Sequence, residues 1–140
     1  MALIPPGIHK GIRGLCMAAL RRTLCIIKNA QRVGFQWRDW VGPLRKVKEE
    51  LRELEQEIRS RAKSKVRISE EIGDLLFSVC NLATLFNLDP EKSLNTTLDK
   101  FQSRFRFVAR ELKKRGKVPK ESNLKEMGAL WRRAKKRSEP

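Results

Sequence analysis

Apolar residues return at every third or fourth position along most of this chain, and that spacing commits it to helices. Val41, Leu44, Val47, Leu51, Leu54 and Ile58 make one stripe. Ile72, Leu75, Leu76, Val79, Leu82, Ala83 and Phe86 make a second, and Leu94, Leu98, Phe101, Phe105, Val108 and Leu112 a third. No segment carries the alternation of a half-buried strand, and no internal repeat is present. The expected fold class is all-α, an antiparallel bundle of four to five helices.

Punctuating residues set the expected boundaries. Pro5, Pro6, Gly7, Gly11 and Gly14 mark residues 1–14 as an irregular basic tail, leaving 15–140 as a single helical domain. A first helix is predicted over 15–32, stopped by Gly34, with Phe35 and Trp37 as apolar anchors behind it. A second is predicted over 43–61 with Pro43 in its first turn, and a third over 69–87. The basic stretch 59–67 reads as the connection between them. Asp89-Pro90-Glu91 supplies a cap, a proline and an acid for a fourth helix that Gly116 can end. Asn123 opens a fifth, with Glu126 in a capping-box-like position, and it carries Leu124, Met127, Leu130, Trp131 and Ala134.

Lysine and arginine outnumber acids by 32 to 16, a net charge of +16, which calls for a polyanionic partner such as nucleic acid, a nucleotide or an acidic membrane surface. The longest apolar runs, 15–20 and 24–27, are far too short to span a bilayer. Cys16, Cys25 and Cys80 form no CxxC and are odd in number, so they read as small apolar residues in a reducing compartment. His9, the lone histidine, sits in the Gly/Pro-rich start and reads as an exposed side chain. The first 38 residues hold seven basic residues and no acid, a composition shared with mitochondrial transit peptides. A cytoplasmic bacterial chain with a basic start is the preferred reading.

Against this basic background, half of the acids fall between residues 49 and 74. Glu50 and Glu53 are three apart, as are Glu71 and Asp74. Like charges at that spacing repel by a few tenths of a kcal/mol on a helix (about 0.2–0.5). Taken separately, the glutamates of 49–57 could be a solvated face, and Glu71 with Asp74 could complement a helix dipole. Taken together, both pairs border apolar stripes that must face one another in a short hairpin. Four carboxylates then converge, which makes sense with a hard divalent cation among them. Downstream, Lys100 with Arg104 and Trp131 with Lys135 are each four apart. Such groups suit a metal-bound triphosphate, although solvated cations and a core tryptophan are the plainer alternatives.

These residues fall into a known pattern. Asn29-Ala-Gln-Arg-Val-Gly-Phe-Gln-Trp37, Lys46-Val-Lys-Glu-Glu-Leu-Arg-Glu53, Glu70-Glu-Ile-Gly-Asp-Leu-Leu-Phe-Ser-Val-Cys-Asn-Leu-Ala83, Lys100-Phe-Gln-Ser-Arg-Phe105 and Trp131-x-x-x-Lys135 follow in order. Over about 19–136 the chain resembles the MazG nucleoside triphosphate pyrophosphohydrolases, an all-α group. It is similar to the C-terminal of the two tandem domains that many members carry, so a truncated or single-domain version is expected. The resemblance implies Mg²⁺-dependent hydrolysis of a nucleoside triphosphate to the monophosphate and pyrophosphate, with Mn²⁺ as a substitute. It implies Glu50, Glu53, Glu71 and Asp74 as metal ligands, and Glu49 as a proton acceptor. Lys46, Lys100, Arg104, Trp131 and Lys135 would bind substrate, and two copies would form a homodimer. Gln36 stands where the family has an acid, and Leu98 where it has an asparagine. The competing reading is a catalytically weakened helical module that binds nucleic acid through the runs 110–117 and 132–137.

Overall fold

A computed structural model describes the backbone of residues 8–138 and the side chains of residues 19–137. Among these residues the chain is all-α: α1 (Ile8–Arg32), α2 (Val41–Arg59), α3 (Lys65–Leu85), α4 (Pro90–Lys114), a 3₁₀ turn (Pro119–Glu121) and α5 (Leu124–Ser138). The side chains of His9 and Cys16, and Pro5 and Pro6 altogether, lie outside the described residues.

The helix ends follow from local chemistry. α1 begins at Ile8 and runs through Gly11 and Gly14, inside the stretch expected to be irregular. Each glycine lowers helix propensity by only about 1 kcal/mol relative to alanine, which a 25-residue helix tolerates. Its end is as expected, with Gly34 at φ +89. α2 starts at Val41, two residues early, because the Asp39 carboxylate accepts the Val41 N–H at 2.9 Å. α3 starts at Lys65 rather than 69, because Ser64 in the supposed basic connection caps it and accepts the Arg67 N–H. α4 opens as read, with Asp89 accepting the Glu91 N–H at 2.9 Å. For α5, Asn123 accepts the Glu126 N–H at 2.8 Å, but the Glu126 carboxylate turns to Ser122, Arg115 and Lys117 instead of closing a capping box.

The chain divides between Glu91 and Lys92 into two compact units. In the first, α3 packs on both α2 and α1. Its buried side chains include Ile27, Cys80 and Pro43, with the polar Glu50 and Ser78. Burial pushes the Cys80 thiol above its usual range, which keeps it an unreactive apolar filler. Gln31 of α1 donates to the Thr84 hydroxyl of α3 at 3.1 Å. The Trp37 ring lies so close to Gly42 that a Cβ added there would collide with it. Phe35, expected as an anchor, is instead 83% exposed. Gly73 faces open space: a Cβ there would meet nothing within 4 Å.

The stripes of α2 and α3 are only partly covered. Val41, Leu51 and Ile58 on α2 are exposed, as are Ile72, Leu76 and Val79 on α3 and Phe86 at its C-cap. Their apolar faces are wider than the contact the two helices make with one another. In the second unit, Val108, Leu112 and Leu130 form a closed core flanked by Met127 and Trp131. The α4 stripe is buried toward its C-terminal half, whereas Leu94, Leu98 and Phe101 are exposed.

Candidate metal and nucleotide site

A five-residue connection joins α2 to α3, so the two helices run antiparallel and bring their acidic segments side by side. Glu50, Glu53 and Glu71 each present a carboxylate oxygen, and these oxygens all lie within 4.8 Å of one another. Glu50 is 4% exposed; Glu53 and Glu71 are half-buried. The structure thus gathers three of the four expected ligands. Asp74, one turn beyond Glu71, is exposed and stays outside this group.

Three converging carboxylates with a single lysine beside one of them are electrostatically costly, and Glu71 registers the cost. Its Oε2 is buried with no hydrogen-bond partner. Its pKa is raised above the ordinary carboxylate value, first by desolvation, then by the charges of Glu53, Asp74 and Glu50. An all-oxygen donor set with an orphaned buried oxygen fits a hard divalent cation such as Mg²⁺ or Mn²⁺.

Lys46 supplies the nearest positive charge. Its Nζ lies 2.6 Å from Glu50 Oε1 and 2.8 Å from Glu49 Oε1, one turn along α2. The hydrogen bonds to Glu49 and then Glu50 hold the Lys46 pKa well above the usual lysine range. Glu49 is correspondingly held below the usual carboxylate value, chiefly by the same hydrogen bond from Lys46. In this arrangement Glu49 is a weaker base than a free glutamate.

The other expected substrate residues belong to the second unit. Lys100 and Lys135 are exposed on α4 and α5. Arg104 is half-buried, and its Nε is buried without a hydrogen-bond partner. Trp131 packs its ring on Phe101 at 5.1 Å between centroids, and Phe101 in turn stacks on Phe105 at 6.1 Å. Trp131 therefore forms part of the unit's own packing while remaining half-exposed.

Sequence reasoning passed over one feature of the first unit. An apolar cavity of about 370 Å³ lies between α1, the 34–37 segment and α3, lined by Ile26, Ile27, Phe35, Gln36, Trp37 and Phe77 among others. The clustering of Phe35 and Trp37 after a glycine stop was its only sequence signal.

Comparison with known proteins adds to this geometry. The family model described as the MazG nucleotide pyrophosphohydrolase domain matches residues 43–109, a span that holds Glu49, Glu50, Glu53, Glu71 and Asp74 together with Lys46, Lys100 and Arg104. The chain is 38% identical over 117 residues to the nucleoside triphosphate pyrophosphohydrolase/pyrophosphatase MazG of Thermotoga maritima, covering 84% of this chain and 44% of that protein. It is 34% identical over 120 residues to the nucleoside triphosphate pyrophosphohydrolase of Escherichia coli K12, covering 86% of this chain and 46% of that protein. The chain thus spans less than half the length of these relatives.

Proposed function

This chain belongs to the MazG nucleotide pyrophosphohydrolase family, and from that premise we propose that it hydrolyses a nucleoside triphosphate to the monophosphate and pyrophosphate. The observation that carries the reading is the group Glu50, Glu53 and Glu71, with the unpartnered, buried Glu71 Oε2. These three would hold Mg²⁺, with Mn²⁺ as a substitute and Asp74 as a fourth ligand. A divalent ion there would neutralise triphosphate charge and acidify the attacking water.

The chain's own residues prepare the rest. Lys46 is poised between Glu49 and Glu50 and can offer its ammonium to an incoming phosphate. Its departure would remove the hydrogen bond that keeps Glu49 low, so substrate binding itself would make Glu49 a better proton acceptor. Lys100, Arg104 and Lys135, with Trp131 as an aromatic face, are the substrate-binding groups that the family resemblance implies in the second unit. The unpartnered Arg104 Nε supports a ligand-directed role for that side chain.

A homodimer within a cytoplasmic setting is part of the proposal. Its support is the apolar surface left on α2 and α3, with Leu51 54% and Leu76 60% exposed. Among the described residues, no single helix is long and apolar enough to cross a membrane. The comparisons do not favour the weakened nucleic-acid module as the main function, and they lend no support to mitochondrial targeting.

Pyrophosphate and monophosphate release should be measured across a panel of normal and damaged triphosphates, with and without Mg²⁺ or Mn²⁺. Release should require the ion. Glu53→Ala and Asp74→Ala should each lower kcat/KM by about a hundredfold or more, as loss of several kcal/mol of charge stabilisation dictates. A folded chain that releases no pyrophosphate from any of them defeats the reading.

A further inference from the structure

The second unit contains a polar cavity of about 450 Å³, lined by Ser103, Arg106, Phe107, Arg110, Ala134 and Arg137. The four α4 residues share one helix face by their spacing of three and four, and Ala134 with Arg137 do the same on α5. Phe107 and Ala134, 7% and 3% exposed, are its closed apolar members. The guanidinium carbons of Arg110, Arg133 and Arg137 lie 5.7, 5.9 and 5.2 Å from the centre of the Phe107 ring. One aromatic ring thus gathers several guanidinium groups, while Arg106 adds another cation to the lining.

Four other cations of the same unit have carboxylate partners. Lys114 meets Glu111 at 2.8 Å, and Arg115 and Lys117 meet Glu126 at 2.9 and 3.1 Å. Even Arg133 reaches Glu111, at 3.9 Å. Among the described residues, no carboxylate lies within ion-pair distance of Arg106, Arg110 or Arg137, and none lines the cavity. Three like charges around one cavity whose lining holds no acid make a positive field, although Arg110 also feels the charge of Glu111 outside the lining. Guanidinium forks present several N–H donors in the plane that fits phosphate oxygens, and Ser103 adds a hydroxyl donor.

We propose that Ser103, Arg106, Arg110 and Arg137 form a binding site for a phosphate group, built from residues outside the acidic cluster and needing no divalent ion. The phosphate group can be carried by a free anion such as pyrophosphate or by a nucleic-acid backbone; the recognising chemistry is the same.

The test is equilibrium binding of inorganic pyrophosphate and of a short labelled single-stranded oligonucleotide to the full chain in EDTA. The triple variant Arg106→Gln, Arg110→Gln, Arg137→Gln should weaken binding at least about tenfold and flatten the dependence of log K on log salt by about 2 to 3 for the oligonucleotide. The charge-matched triple Arg38→Gln, Arg45→Gln, Arg61→Gln, in the first unit, should change it far less. Glu53→Gln, which removes a proposed metal ligand, should leave it unchanged, so the outcome is independent of hydrolysis. Arg137→Gln alone, near the end of α5, should move binding the same way without threatening the fold. Loss for both ligands supports a general phosphate site; loss for one alone supports the site and identifies its source. Equal weakening by the two triples, or by neither, overturns the proposal.

Discussion

The two compact units use the same helical periodicity and cover their apolar stripes to different extents. In the second, Leu112 and Leu130 are 0% and 1% exposed in a closed core, while Leu94, Leu98 and Phe101 nearer the start of α4 stay exposed. In the first, a stripe of equal regularity leaves Leu51, Ile58, Leu76 and Val79 about half exposed or more. A period of 3.6 states which side of a helix is apolar; it does not state what covers that side. The first unit carries the clustered carboxylates Glu50, Glu53 and Glu71, and beside them it leaves apolar surface on α2 and α3 uncovered.

The contrast is most strongly tested by truncation. Leu112→Ala should destabilise the chain by about 2–5 kcal/mol, since a fully buried leucine leaves a cavity. Leu76→Ala should cost less than about 1 kcal/mol at protein concentrations that keep chains apart, measured by urea unfolding. A Leu76→Ala cost that approaches that of Leu112→Ala as concentration rises would mean that a second copy covers α3. Next in size, Asn123→Ala should cost about 1 kcal/mol through loss of the bond to the Glu126 N–H. Gly73→Ala should do the reverse and stabilise by up to about 1 kcal/mol, because open space surrounds that position. Destabilisation by that change would show that something beyond the single chain packs there.

The smallest effect is a pH signature. Glu71 has a folded pKa raised above its unfolded value, chiefly by desolvation. Its contribution to stability is therefore fully present below the unfolded pKa and lost as pH rises through the folded value. Without divalent ions, Glu71→Gln should stabilise the chain at neutral pH and have little effect in acid. Mg²⁺ should narrow that difference by stabilising the native glutamate more than the glutamine variant.

Much of the fold could be read from the residues. Asp89-Pro90 and Asn123 carry unambiguous start chemistry, and both open helices where expected. Ser64 was hidden because the arginines and lysines around it read as a linker, although its hydroxyl is what fixes the start of α3. The convergence of Glu50, Glu53 and Glu71 follows from spacing plus a short hairpin. The exposure of Asp74 does not, because the margin of a stripe belongs to either face. The arginine cavity could not be anticipated: Arg106 and Arg110 are four apart, as are Arg133 and Arg137, but only tertiary packing brings Phe107 between them. In a chain this basic, no spacing rule separates such a cluster from ordinary solvated charge.

The contact between Trp37 and Gly42 has a practical outcome. An indole lying on bare backbone at the first turn of α2 is a built-in optical probe of that docking. Gly42→Ala must dislodge the ring, and the emission of Trp37 would then shift as its surroundings change. With Trp40 and Trp131 replaced by phenylalanine, a single fluorophore would watch the stretch joining α1 to the acidic hairpin while nucleotide or metal is added.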